Sequence, residues 1–220
     1  MIQLIILFLL HKLNHLGIRG NALDWFATYL SNRYQQVVVQ GCTSPKTKLT
    51  SKGVAQGSLL GPLMFLIYVN DFSKCLETSN AIMFADDTSL YTCNNNIKKL
   101  IETGNNELSN VDNWLVANKL AINLTKTKYI IFQTPKMSVA LPKEIPTLRM
   151  NNTRLEKVQE IKFLGLIVNQ HLSWTSHMKY LLTKIRCGLG AVCKSKPFLN
   201  QASLLHLYHS IITAIYSIVS

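Results

Sequence analysis

The 220-residue sequence predicts an α+β fold. Three observations lead there. Segments with helical periodicity alternate with short β-prone runs through about residue 170. The chain is 48% apolar and 15% charged, so it can bury a core. Beyond residue 170 it turns basic and helical: Ile161 to Ser220 carries six Lys or Arg and no Asp or Glu. Residues 1–170 are read as one α+β body and residues 171–220 as a basic helical region.

The elements follow in order. Residues 1–16 read as a helix ending near Gly17. Asn21 to Asn32 reads as a second, with Leu23, Phe26, Ala27 and Leu30 on one face. "RYQQVVVQG" reads as a strand and "KTKLTSKG" as its partner. "GVAQGSLLGP" is a Gly-punctuated turn, and Gly61-Pro62 places proline at a helix start. "LMFLIYVNDFSKCLE" continues that helix; it is apolar nearly all round, which predicts burial on every side. Ala81 to Ala85 and Thr88 to Thr92 are two short strands. Ile97, Leu100, Ile101, Leu108, Val111, Trp114 and Leu115 make a helical stripe. "KYIIF" is a strand, "LRMNNTRLE" a hairpin around Asn151-Asn152, and "IKFLGLIVN" another strand. Ser173 is placed as the cap of a helix running to about Val192. A last helix covers Gln201 to Val219.

The net charge is +12. Such an excess points to a polyanion, either nucleic acid or an anionic membrane. The five cysteines form no C-x-x-C pair and their number is odd. That argues for reduced thiols inside a cell, in cytoplasm or nucleus, and against a disulfide framework or zinc ribbon. His11/His15 and His206/His209 have helical spacing but lack further ligands nearby. "MIQLIILFLL" is too short to span a bilayer and lacks a basic n-region and a cleavage site, so it reads as a core helix and no stable membrane association is expected. An anchor built on "IQLIILFLL" stands as a third reading.

The stretch "AIMFADDTSLYT" sets two carboxylates side by side where an apolar strand ends. Like charges that close resist joint ionisation. A divalent cation removes the penalty, and Mg²⁺ prefers hard oxygen ligands. Two metals about 4 Å apart are the usual device for displacement at phosphorus. Taken alone, the pair is weak evidence and reads more readily as a solvated turn.

Its neighbours change the reading. "GVAQGSLLGPLMFLIYVNDF" lies upstream; "WLVANKLAINLTKTKYIIF" and "IKFLGLIVNQHLSW" lie downstream. These four blocks, in this order, resemble the palm of a reverse transcriptase, and most closely the polymerases of non-LTR, LINE-type retrotransposons. The resemblance runs from about His11 to the C-terminus. It implies a polymerase right hand: an antiparallel palm sheet with packed helices over residues 1–170, then a helical thumb over 171–220. It also implies template-directed DNA synthesis from RNA by two-metal nucleotidyl transfer. The partners would be an RNA template, a DNA primer and, if active, a dNTP, with Mg²⁺ or Mn²⁺ as cofactor.

Carried over residue by residue, Asp86 matches the first metal-binding aspartate of the family's F-A-D-D box. Asp87 matches its neighbour, and Phe84 and Ala85 the first two positions. Gly53, Gln56, Gly57 and Ser58 match the G-x-P-Q-G-S loop that packs on template and incoming nucleotide; Ala55 stands where proline is usual. Lys126 falls where the family places a lysine near the nucleotide phosphates, with Asn123 and Thr127 in the same block. Phe163, Leu164 and Gly165 match the F-L-G hairpin that grips the primer end, although packing explains Phe163 and Leu164 equally well. Trp114 fits core better than base stacking. Lys179, Lys184, Arg186, Lys194 and Lys196 become candidates for phosphate contacts.

One part is missing. LINE-type relatives carry a further aspartate in an "A-F-D-x-V-D-H" segment directly before "LLHKL". Here "LLHKL" follows "MIQLIILF", which contains no acid. Asp24, within "NALDWF", belongs to the following helix and should not substitute. The resemblance therefore implies a chain that begins just after its first catalytic strand, as a frameshift would leave it, with the fingers also absent. The metals would be weakly held and the chain catalytically defective. The alternative is a non-catalytic nucleic-acid-binding or interaction module derived from such a polymerase.

Overall fold

The computed structural model describes residues 6–31, 34–48, 57–134, 146–213 and 215. Helix and strand are mixed along the chain, as an α+β fold requires. It divides into two compact units: Met1–Thr127 with Ile145–Leu155, and Lys128–Glu144 with Glu156–Ser220.

The first unit is built on helices. α1 (Ile6–His15) and α2 (Asn21–Leu30) pack together, and α1 also packs on α3 (Leu60–Val69). Leu9 and Leu13 of α1 and Met64 and Tyr68 of α3 are each four residues apart, so each pair shares a helix face. With Leu30 and Val69 they make the core. α1 stops at Gly17 as expected: the glycine takes φ 92°, and Ile18 N–H reaches back to the Leu13 carbonyl at 3.1 Å. That left-handed stop is one glycine adopts without a Cβ penalty.

Between α2 and α3 the expected strand over 33–41 is broken. β1 (Tyr34–Gln35) pairs with β4 (Thr47–Lys48), inside the expected partner segment. β2 (Val38–Val39) instead pairs with β3 (Cys42–Thr43). Gln40 at φ 49° and Gly41 at φ 81° make the tight turn between them. Positive φ at both positions suits a two-residue hairpin, and Gly41 enables it.

α3 begins with Pro62 in its first turn but is shorter than expected. It ends at Val69, and a 3₁₀ turn follows over Phe72–Cys75. Nor is it buried all round: Leu63 and Leu66 are half exposed. The apolar run reaches further than the packing available to cover it.

β5 (Asn80–Phe84) and β6 (Asp87–Tyr91) form an antiparallel hairpin. α4 (Ile97–Ala117) is capped by the Asn96 side chain, which accepts from the Lys98 and Lys99 amides. Its stripe buries Ile101 and Val111, with Trp114 half-buried edge-on to Phe72. α4 also carries the small hairpin β8 (Arg149–Met150) and β9 (Thr153–Arg154). Its Asn151-Asn152 turn is as expected, with φ 49° and 59°.

The second unit begins with β7 (Lys128–Tyr129), all that forms of "KYIIF"; it pairs in parallel with β10 (Glu156–Lys157). The expected strand over 161–169 is a hairpin, β11 (Glu160–Phe163) with β12 (Leu166–Asn169). Two left-handed residues, Leu164 and Gly165, break it in the middle. α5 (Thr175–Ser195) packs on β12, where the Ile167 N–H donates to Nδ1 of the buried His177 at 3.2 Å. Ser173 does not cap this helix. Trp174 occupies the cap position, while Ser173 Oγ is engaged by Asn169 Nδ2 at 2.7 Å.

α6 (Gln201–Tyr208) is capped by Asn200 and passes into a π turn at His209–Thr213; of the helix expected to Val219, residues 214 and 216–219 lie outside the described residues. Gly188 lets α5 meet that turn closely: a Cβ there would come within 2.7 Å of Ile211 and Ile212. Among the described residues the strands make six two-stranded ladders, five antiparallel and one parallel, not one sheet. No helix among them is long and apolar enough to cross a membrane.

Candidate functional site

The β5–β6 hairpin sets the two aspartates in place. Phe84 and Asp87 are directly paired, so Ala85 and Asp86 form the whole loop. A two-residue hairpin loop needs positive φ and favours glycine. Here Ala85 takes it, at φ 52°. A left-handed alanine costs about 1–2 kcal/mol. Directly opposed residues of an antiparallel pair share a face, so Asp87 lies on the face of Phe84, which is 61% exposed. Asp86 sits at the bend itself. Both carboxylates are exposed, and among the described residues neither has a side-chain hydrogen bond or ion pair.

As a donor set, the bend offers two hard oxygen ligands not already neutralised by a base. Mg²⁺ is commonly held by one or two carboxylates, with water and substrate phosphates completing its shell. The pair fits that pattern. A self-sufficient cage is another matter: among the described residues no group of three His, Cys, Asp or Glu could hold a metal. Asp24 is an exposed residue in the first turn of α2.

Of the glycine-bearing loop, Gly53 and Gln56 lie outside the described residues. Gly57 takes φ 80°. Ser58 accepts the Gly61 N–H on its Oγ at 3.0 Å, which steadies the start of α3. Lys126 is exposed, and its backbone is held by Asn123: the Asn123 Oδ1 accepts from Thr125 N, Thr125 Oγ1 and Lys126 N at 3.1, 2.6 and 3.3 Å. Thr127 Oγ1 donates to the Asn123 carbonyl at 2.9 Å. Asn123 and Thr127 thus shape the turn that presents Lys126. Phe163 ends β11 half-buried, and Leu164 and Gly165 form the tip at φ 46° and 91°. Leu164 is 47% exposed despite its strained backbone. Asp86, Asp87, Gly57, Ser58 and Lys126 belong to the first unit, and the F-L-G tip to the second.

Sequence reasoning missed two residues. Lys12 Nζ donates to the Tyr68 carbonyl at 2.5 Å, Asp71 Oδ1 at 2.7 Å and Asn118 Oδ1 at 2.8 Å. It also lies 4.8 Å from the Tyr68 ring centroid and 5.4 Å from that of Trp114. One ammonium therefore ties "LLHKL", "YVNDF" and "WLVANKL" together. The signal was a lysine amid leucines of α1. Glu107 is 3% exposed and accepts the N–H groups of Glu77, Thr78 and Ser79, the residues leading into β5. Its signal was an acid four residues before Val111 on the apolar stripe of α4. Burial pushes its carboxyl up, but the donors of Thr78, Ser79 and Glu77 outweigh that and hold it below the usual range.

Comparison with known proteins adds to this geometry. The chain matches the family model described as reverse transcriptase (RNA-dependent DNA polymerase) over residues 5–168. It is similar to the Retrovirus-related Pol polyprotein from type-1 retrotransposable element R1 of Bradysia coprophila, 27% identical over 169 residues, 76% of this chain and 16% of the relative. It is also similar to the RNA-directed DNA polymerase from mobile element jockey of Drosophila funebris, 25% identical over 170 residues, 72% of this chain and 17% of the relative. A third relative is the Probable RNA-directed DNA polymerase from transposon X-element of Drosophila melanogaster, 22% identical over 195 residues, 84% of this chain and 20% of the relative. The chain spans 16 to 20% of the length of these curated relatives. With the match covering most of its length, this chain belongs to the reverse transcriptase family, as a domain segment akin to the RNA-directed DNA polymerases of LINE-type retrotransposons.

Proposed function

We propose that the chain carries the metal-binding hairpin, nucleotide loop and primer grip of a polymerase palm, residues 1–170, and a basic thumb, residues 171–220. The observation that carries this reading is the pair Asp86 and Asp87: two exposed, unneutralised carboxylates at one hairpin bend. Magnesium or manganese, when bound, supplies charge neutralisation at the transferring phosphoryl group. Asp86 and Asp87 would hold it. Gly57 allows close backbone approach, in a loop that by sequence also includes Gly53 and Gln56, and Ser58 Oγ accepts the Gly61 N–H at the start of α3. Lys126 offers an ammonium to the nucleotide phosphates. Phe163, Leu164 and Gly165 present a strained tip to the primer end, consistent with backbone strain concentrating at functional positions.

Among the described residues no third carboxylate joins Asp86 and Asp87 to complete a metal site, so we expect this chain by itself to bind nucleic acid without extending a primer. RNA template and DNA primer are its proposed partners. The free thiols suit the cytoplasm or nucleus. The test is primer extension by the purified chain on a primed RNA with Mg²⁺ or Mn²⁺ and dNTPs. No incorporation is expected. Robust incorporation lost in Asp86→Ala would overturn the inactivity and support full catalysis.

A second reading, a non-catalytic nucleic-acid-binding module, is favoured by the +12 charge and the acid-free stretch 161–220. Binding of a primer–template should weaken steeply with salt and be indifferent to Asp86→Ala or chelation. Salt-independent binding, or none at low salt, would sink both readings.

A further inference from the structure

Two lysines from different elements converge on one phenol. Lys162, on β11, has its Nζ 5.5 Å from the ring centroid of Tyr180. Lys184, one helical turn beyond Tyr180 on α5, has its Nζ at 5.4 Å. Neither ammonium has an ion pair among the described residues. No Asp or Glu occurs after Glu160, so the helical part of this unit has no acid to offer them. Hydrogen bonding from Lys184, then from Lys162, together with the charge of both, holds the phenol below its ordinary range despite some desolvation.

Both ammoniums are exposed, so water screens their repulsion; Glu160 shares the β11 face of Lys162 but pairs with neither, which leaves both open to an anion. The matching chemistry is an oxyanion with two free oxygens. It would accept from both ammoniums and from the Tyr180 hydroxyl, as charge-assisted hydrogen bonds allow. The neighbouring cavity, about 630 Å³, is lined by the apolar Gly188, Ala191 and Ile211 as well as by Tyr180 and Lys184. An anion is therefore best placed at its polar rim. Lys162 also stands two residues before the strained Leu164 tip, on the same hairpin.

We propose that Lys162, Tyr180 and Lys184 form a clamp for a single backbone phosphate of a bound nucleic-acid strand. The clamp rests on the nucleic-acid-binding reading above and gives it a site. One phosphate bridges β11 and α5, so the two lysines act as a unit. Among the described residues, Lys179, Arg186, Lys194 and Lys196 show no such convergence, and they act singly.

The test uses the full 220-residue chain and a fluorescein-labelled RNA–DNA hybrid, titrated by anisotropy over a range of NaCl. The variants are Lys162→Met, Lys184→Met, the double variant, Tyr180→Phe, and Lys194→Met alone and with Lys162→Met. Methionine keeps the aliphatic stem, and circular dichroism checks the fold. Lys162→Met and Lys184→Met should each weaken binding about three- to tenfold and reduce the salt slope by about one, whereas Tyr180→Phe should weaken binding and leave the slope unchanged. The clamp double should be little worse than either single, because both lysines serve one phosphate. Lys162→Met with Lys194→Met should be additive. The ultraviolet titration lost in Tyr180→Phe reports the phenol itself. Saturating hybrid should raise its pKa, since a nearby anion disfavours phenolate.

Intact hybrid binding with an additive clamp cycle and an unmoved phenol would overturn the clamp alone. No hybrid binding by the unaltered chain at low salt would sink the nucleic-acid reading and the clamp with it. If inorganic phosphate or phosphatidylserine vesicles move the phenol and the hybrid does not, the strand is the wrong ligand and the proposal fails.

Discussion

Glu107 on α4 accepts two hydrogen bonds from Thr78, from its backbone N–H at 2.6 Å and from its hydroxyl at 2.7 Å. Ser79 N–H adds a third to the same oxygen at 2.9 Å. The next residue, Asn80, opens β5, whose far end turns at Asp86. A buried carboxylate on a long helix therefore fixes where the aspartate hairpin starts. Charge-assisted bonds of this kind are the strong ones.

Removing that carboxylate should loosen the hairpin. Glu107→Ala leaves three amides and a hydroxyl without their acceptor, and the expected loss is about 3 kcal/mol. Urea unfolding of the two proteins measures it. An unchanged midpoint would show that the hairpin entry is held by something else.

The same group predicts acid sensitivity. Its folded-state pKa is lowered. Its contribution is therefore full above the unfolded value, about 4.3. It fades as pH falls below that value and through the depressed folded pKa. The stability gap between the unaltered protein and Glu107→Gln should shrink over that window. A gap constant with pH would contradict the assignment.

Lys12 should matter to stability rather than chemistry. Lys12→Met keeps the stem over Tyr68 and Trp114 but leaves the Asp71 and Asn118 oxygens without their donor. Asp71 is 40% exposed and can turn to water. The expected cost is thus about 1–2 kcal/mol, below that of a fully buried pair. A thermal melt would read it. Nucleic-acid binding per folded molecule should not change.

Backbone strain at two loops gives a prediction of opposite sign. Ala85 and Leu164 both hold positive φ, at 52° and 46°. Replacing either by glycine relieves a left-handed side chain, and each should stabilise the fold by up to about 1 kcal/mol. Urea midpoints for Ala85→Gly and Leu164→Gly test this. A destabilised glycine variant would mean that the side chain's own packing outweighs the strain.

Much of the local structure around the candidate site was legible because its determinants are local. The aspartate pair at an apolar strand's end, Asn151-Asn152 between short strands, and the stripe of α4 all follow from neighbours within a few residues. Errors fell where distant packing intervened. The strand over 33–41 divided between Gln35 and Val38 and turned back at Gln40-Gly41, because β2 found a nearer partner in Cys42–Thr43. Ser173 read as a cap but was drawn off by Asn169 across the end of β12.

The sequence alone determined the family, the basic balance, the position of the carboxylates and the lack of an acid before Asp24. These depend on residue identity and order. Only the tertiary structure decided what Lys12 and Glu107 hold together. Lys12 and Asp71 are 59 residues apart in the chain and 2.7 Å apart in space. No periodicity spans such a distance. Which polar groups meet depends on how helices and hairpins pack, and a charge kept from water goes where it finds partners.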